Sequence, residues 1–306
     1  MNNKLKKIKK EIGAFVYSMA TYISPWLNTQ LRFIKLTGKT GNLKQPETFS
    51  EKLSWLKLNY YSSDPLVKKC ADKYKVRDYI SESGLDYILN PLYGIYKNSN
   101  EIIWSKLPQQ FVLKWNYGCG YNIFCVDKDS IDENTVKNQL DKWRKKLYWP
   151  IYAEKQYDIE EKVIICERYM QSDDEDGLLD YKFYCFHGKV LAILVISRID
   201  VDGNGNKAIF MTPDWNILSD IPARYQKTLI PDRPQTLQEM IQIAEKLSRP
   251  FPFVRVDLYE YENKPVFGEM TFTPATGILP SEAPIEGKPM GDYIDLSSLI
   301  NKEEKV

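Results

Sequence analysis

Apolar residues recur at Leu5, Ile8, Ile12, Phe15, Met19 and Ile23, a spacing that predicts a helix near the N-terminus. Residues 46–58 follow with Pro-Glu-Thr-Phe-Ser-Glu, a capped entry, and then a helical pattern. Residues 72–81 predict a further helix, ended near Gly84. The period then shortens. Phe111-Val-Leu-Lys-Trp reads as a strand running into a glycine loop, and Ile123-Phe-Cys-Val as the strand that returns. A helix is expected over 131–147 and a strand over 163–170. Residues 181–186 and 190–197 predict a hairpin turning at His187-Gly188, and 236–247 a helix. Runs rich in valine and aromatic residues flank a polar turn at Glu262-Asn263-Lys264, which predicts a last hairpin. The mixture implies an α+β fold with mostly antiparallel sheets.

That last hairpin carries chemistry. With Asn263 at its centre, Asp257 stands opposite Glu269, and Arg255 opposite Thr271. Side chains alternate along a strand, so these four share one face while Val254, Val256, Met270 and Phe272 share the other. Two carboxylates facing each other repel unless a cation lies between them. Hard oxygen ligands on rigid strands suit Mg²⁺, whose shell is completed by phosphate oxygens and water. Two solvated carboxylates near a surface turn are the plainer alternative, and a one-residue bulge would break the register.

The chain has 306 residues, room for two or three subdomains. Its net charge of +1 supplies no global field that would recruit nucleic acid. The five cysteines (Cys70, Cys119, Cys125, Cys166, Cys185) form no CxxC, which suggests a reducing, cytoplasmic compartment. His187 is the sole histidine; this argues against His-ligated zinc and against Ser-His or Cys-His catalysis. Five lysines lie among the first ten residues, around the start of the apolar stripe of the first helix. The stripe is too short to span a bilayer, which leaves two readings: it lies on an anionic membrane surface, or it packs on the body.

Gly118-Cys119-Gly120 follows the strand that carries Lys114, an arrangement that brings backbone N–H groups and a point charge to a phosphate. Glu167 ends an apolar strand, where a carboxylate can hold ribose hydroxyls. Lys182 opens the strand of Asp-Tyr-Lys-Phe-Tyr. Two motifs read as decoys. Asp200-Val-Asp-Gly-Asn-Gly begins like a calcium loop, but Met211 stands where the loop requires Glu. Asp127-Lys-Asp129 has the DxD form of metal-dependent glycosyltransferases, a string also common in turns.

Taken in order, five segments resemble the ATP-grasp superfamily, and within it the TupA-like branch. They are Ala-Asp-Lys-Tyr-Lys-Val-Arg (71–77), Phe-Val-Leu-Lys-Trp-Asn-Tyr-Gly-Cys-Gly (111–120), Cys-Glu-Arg-Tyr (166–169), Asp-Tyr-Lys-Phe-Tyr-Cys-Phe-His-Gly-Lys (180–189), and Phe-Val-Arg-Val-Asp-Leu-Tyr (253–259) with Phe-Gly-Glu-Met-Thr-Phe-Thr-Pro-Ala-Thr-Gly (267–277). The resemblance implies ATP held between two subdomains. It implies Lys73 and Lys114 on its phosphates, Gly118, Cys119 and Gly120 in the loop that closes over them, and Glu167 near adenine and ribose. Asp257, Glu269 and Thr271 become Mg²⁺ ligands, with Thr271 where the superfamily often has Asn. Arg255 and Arg198 become the groups that neutralise the γ-phosphate or a substrate carboxylate, and Lys182 is a further catalytic candidate whose plainer reading is surface charge. The implied units are a basic arm (1–41), an N-terminal subdomain (42–108), a lid (109–166) and a C-terminal subdomain with the metal hairpin (167–306). The implied chemistry is a carboxylate–amine ligase working through an acyl phosphate. The TupA-like branch implies a sugar acid, free or lipid-linked, joined to an amine in the cytoplasm or at the inner face of the membrane, with no nucleic-acid partner. The alternatives are a glycosyltransferase using Asp127 and Asp129, and a non-catalytic nucleotide-binding scaffold.

Overall fold

The computed structural model describes residues 3–172, 177–197, 207–218, 230–279 and 284–303. The N-terminal periodic segment forms two helices, α1 (Asn3–Ile23) and α2 (Pro25–Thr37). Pro25 breaks the ladder between them and serves as the first residue of the second. Gly38, at φ +78°, ends α2 in the left-handed cap only glycine adopts cheaply. In α3 (Phe49–Trp55), Thr48 and Glu51 form the predicted capping box, and a single π turn over Leu56–Tyr60 continues the helix. α4 (Pro65–Ala71), not anticipated, starts on the Asp64 cap. The helix expected over 72–81 is α5 (Val76–Glu82).

A first sheet contains β1 (Leu92–Tyr96), β2 (Phe111–Trp115), β3 (Asn122–Cys125) and β4 (Ile164–Arg168), in the order β1-β4-β2-β3. Between β3 and β4 lie α6 (Glu133–Arg144) and α7 (Trp149–Tyr152). The second sheet contains β5 (Leu179–Phe186), β6 (Lys189–Ser197), β7 (Lys207–Met211), β8 (Phe253–Tyr261) and β9 (Lys264–Thr271), in the order β7-β6-β5-β8-β9. α8 (Leu237–Ser248) packs beneath it, and α9 (Ser297–Glu303) follows. Every named pairing is antiparallel, so the architecture is the α+β one expected.

Both sheets have an apolar face, and β5 and β6 of the second are buried on both sides. Phe111, Leu113, Trp115, Cys125, Ile164 and Cys166 form the core under the first. Phe183, Val254, Val256, Met270 and Phe272 join the helices in the larger core under the second. The other face of β5, β8 and β9 carries Lys182, Arg255, Asp257, Glu269 and Thr271. The segment 1–41 divides: Phe33 of α2 packs with Leu43 and Ile278, and Gln30 holds Gly41 through both its amide groups, so α2 belongs to the body.

Candidate functional site

The pairing across β8 and β9 is Arg255↔Thr271 and Asp257↔Glu269, as the sequence predicts. It arises differently. The turn is the two-residue Glu262-Asn263, both at positive φ (54° and 58°), closed by Tyr261↔Lys264. A bulge between Asp257 and Leu258 then shifts the register by one. Gly268 sits at that bulge; a Cβ there would lie 2.9 Å from the Asp257 carbonyl and from the Tyr259 ring. The bulge feared as a disruption is what sets the carboxylates opposite each other.

β5 extends the polar face, with Lys182 beside Asp257. Lys182 is buried and reaches Asp257 Oδ2 at 2.5 Å and Asp180 Oδ2 at 2.7 Å. Arg255 donates Nε to Asp257 Oδ1 and Nη2 to Asp257 Oδ2, each at 2.7 Å, and Nη2 also reaches Thr271 Oγ1 at 3.1 Å. Burial lowers the Arg255 pKa, but the carboxylate beside it raises it well above the ordinary value. Burial pushes the Asp257 carboxyl up, with Arg255 and Lys182 pulling against it. Glu269 is more open, with a side-chain exposure of 38%, and accepts from Thr271 Oγ1 at 3.2 Å.

The first sheet contributes a second cluster. Val112 pairs with Glu167 and Lys114 with Ile165, so Lys114 and Glu167 share the face away from the core. Lys114 Nζ lies 2.7 Å from Glu167 Oε2. The segment between α4 and α5 joins the two sheets. Asp72, buried, accepts from the backbone N–H of Tyr74 and Lys75 and from Asn116 Nδ2. Lys73 Nζ then donates to the Gly118 carbonyl at 2.5 Å and lies 4.0 Å from Glu269 Oε2. Four residues on, Arg77 reaches Glu167 Oε1 at 3.5 Å. Gly118 and Gly120 both have positive φ, and a Cβ at Gly118 would strike the Tyr148 ring at 2.8 Å. Cys119 between them is the one exposed cysteine. Tyr117 points the other way, buried in the core with its hydroxyl on the Trp143 carbonyl.

Lys73, Lys114, Gly118, Cys119, Gly120, Glu167, Lys182, Arg255, Asp257, Glu269 and Thr271 therefore fall into two linked clusters on the polar faces of the two sheets. Arg198 and the Asp200–Gly205 string lie outside the described residues. Asp127 caps a turn, accepting from the Asp129 N–H at 3.1 Å, while Asp129 accepts from Gln109. Asp127, Tyr93 and Arg168 line an open depression of about 530 Å³. Arg168 follows Glu167 on β4 and so faces the other side of the sheet. Among the described residues no three His, Cys, Asp or Glu side chains converge on one point.

Some participants escaped the sequence reading. Arg77 lies inside a quoted motif, and Asp180 shares strand alternation with Lys182; both carried that signal. Lys57 and Glu154 carried none. After β9, Ala275, Thr276 and Gly277 take positive φ in succession. Lys57, fully buried on the π turn, donates Nζ to the Thr276 carbonyl at 3.1 Å and the Tyr152 carbonyl at 3.3 Å. Ser54 Oγ donates to the Gly277 carbonyl at 3.3 Å. Glu154, also buried, accepts from Thr273 Oγ1 at 2.5 Å, and Gln156 donates to that same hydroxyl.

The family described as TupA-like ATP-grasp matches residues 51–294. No curated protein matches the chain. Among solved structures, a D-alanine–D-alanine ligase from Bacillus anthracis complexed with ATP is 17% identical at TM-score 0.45, over 92% of this chain and 86% of that one. An L-amino acid ligase from Bacillus licheniformis is 15% identical at TM-score 0.39, over 67% and 41%. The chain belongs to the TupA-like ATP-grasp family.

Proposed function

We propose that this ATP-grasp ligase activates the carboxylate of a sugar acid, a uronic acid of a bacterial surface polysaccharide, and joins it to an amino acid or another amine. A carboxylate oxygen attacks the γ-phosphorus of ATP. The bond to the β,γ-bridging oxygen breaks, ADP leaves and an acyl phosphate forms. The amine nitrogen then attacks the acyl carbon, inorganic phosphate departs, and the nitrogen loses a proton to give the amide. Phosphoryl transfer needs alignment and charge neutralisation more than a covalent nucleophile. That suits a chain whose sole histidine, His187, sits in a hairpin turn.

The observation that carries this reading is the placement of Lys73, which touches the glycine loop and approaches Glu269. We assign Lys73 and Lys114 to the phosphates, Gly118, Cys119 and Gly120 to the closing loop, and Glu167 to the ribose. Arg255 and Arg198 are assigned to the transferred phosphoryl group or the substrate carboxylate. Lys182, sealed between Asp180 and Asp257, is assigned to hold Asp257 in place and not to touch substrate. The donors fit Mg²⁺. Glu269 is partly exposed, and among the described residues Asp257 Oδ1 accepts from Arg255 Nε alone, leaving it a lone pair. Thr271 completes the set with a neutral oxygen. Bound there with ATP, the ion would neutralise charge on the phosphate oxygens. Such a reaction places the enzyme in the cytoplasm, with its acceptor free or carried on a nucleotide or lipid.

The test is a substrate panel. With ATP, Mg²⁺, glucuronic or galacturonic acid and a mixture of amino acids, ADP release should depend on the sugar acid, and mass spectrometry should find the amide. Turnover or thermal stabilisation with UDP-sugars and none with ATP would transfer the reading to a glycosyltransferase.

A further inference from the structure

α1 is mounted the wrong way round for a helix that serves the core. An amphipathic helix on a globular body normally turns its apolar stripe inward. Here Leu5, Ile8, Ile12, Phe15, Met19 and Ile23 are all exposed, from 44% at Ile8 to 74% at Ile23. At about 100° per residue they fall within one arc of roughly 80°. The docking side is small and polar. Ala20 and Thr21 are buried there, Thr21 Oγ1 donates to the Pro150 carbonyl at 2.6 Å, and Asn28 of α2 donates to the carbonyls of Pro150 and Ile151 at 3.2 Å. These bonds to α7 fix the outward direction of the stripe.

Charge identifies what covers it. The first 42 residues hold eight basic residues and one acidic residue, Glu11, whereas the rest of the chain, with 34 basic and 40 acidic, is net negative. Five of those basic residues are lysines among the first ten positions. An outward apolar arc flanked by lysines, on an otherwise acidic body, matches a surface that is apolar at depth and anionic above. None of the described helices is long and apolar enough to cross a membrane. We infer that α1 lies in the interfacial plane of an anionic bilayer, its stripe among the acyl chains and its lysines among the headgroups, and that it holds the catalytic body at that surface.

The experiment uses the full chain with vesicles of phosphatidylcholine, alone or with one third phosphatidylglycerol. Co-sedimentation should be at least about tenfold stronger with the anionic vesicles and should weaken in high salt. The triple variant I12E/F15E/I23E should lose binding by at least about tenfold. Its melting temperature and ATP turnover in solution should be unchanged, because the three residues are exposed and none is among those assigned to ATP or its metal. K9Q/K10Q, which leaves the stripe intact, should reduce binding to anionic vesicles only. Equal sedimentation with both vesicle types, or none with either, overturns the inference. So does a triple variant that still binds vesicles, or one that converts a wild-type dimer to monomer, since a second copy would then be the cover.

Discussion

Asp257 lies within 2.7 Å of two cations and is buried with them, and that closeness sets it apart from Glu269, which shares its face. Arg255 and Lys182 are both largely buried, and both direct their charge at the Asp257 carboxylate. Removing one partner of a buried ion cluster leaves charge without compensation and costs about 3–5 kcal/mol. Glu269 is partly open to water, and its ion pairs are longer: 3.5 Å to Arg255 and 4.0 Å to Lys73. The sequence treats the two carboxylates alike, and the expectation from it is that either can be neutralised without harm to the fold. The geometry separates them. Asp257→Asn should lower the free energy of unfolding by about 3 kcal/mol or more. Glu269→Gln should change it by less than about 1 kcal/mol, while both variants lose ADP release by about a hundredfold or more. Urea titrations beside an ADP-release assay check this, and two equally stable variants would remove Asp257 from the centre of the cluster.

The β8–β9 hairpin shows how much an element can disclose in advance. Period-two alternation sufficed to put Arg255, Asp257, Glu269 and Thr271 on one face, because one-sided burial allows no other phase. Turn length and bulge were misjudged together. Glu262-Asn263 is a two-residue turn, which alone would pair Asp257 with Gly268, and the bulge at Gly268 restores Glu269. Strand ends in β2 and the helix cap at Thr48 were legible for the same local reason, whereas Asp132, the cap of α6, lies inside the helix expected over 131–147. β1, a short edge strand of alternating exposure, was not. Gly268→Val tests the bulge. The new Cβ would meet Asp257 O and the Tyr259 ring at 2.9 Å, so either the strand shifts or the bulge is lost. A loss of about 1–3 kcal/mol in stability is expected, and a fall in turnover should accompany it because Glu269 leaves its place opposite Asp257. A variant destabilised to that extent but fully active would show that this register is dispensable.

At the scale of the molecule, the site depends on contacts that no local pattern announces. Lys57 bridges Tyr152, 95 residues away, and Thr276, 219 residues away, and so ties the π turn after α3 to α7 and to the turn that follows the β8–β9 hairpin. Those separations exceed any period readable in the chain, which is why Lys57 and Glu154 were missed while the motif lysines were found. Lys57 also leaves a signature in pH. Burial pulls its pKa down to about 8, against the upward pull of Glu154. An exposed lysine in the unfolded chain titrates near its usual value of about 10.4. Between these limits the unfolded chain binds a proton that the folded protein has released, so stability rises with pH there. Below pH 8 the full cost of burying the charge is present, and above about 10.5 it is gone. Lys57→Met removes the group. Measured by chemical denaturation, wild type should therefore gain about 2 kcal/mol relative to Lys57→Met between pH 8 and pH 10, with the tyrosines common to both cancelling in the difference. Parallel stability curves for the two proteins across that window would mean that Lys57 keeps its proton in the folded state, and that the carbonyls of Tyr152 and Thr276 solvate its charge fully.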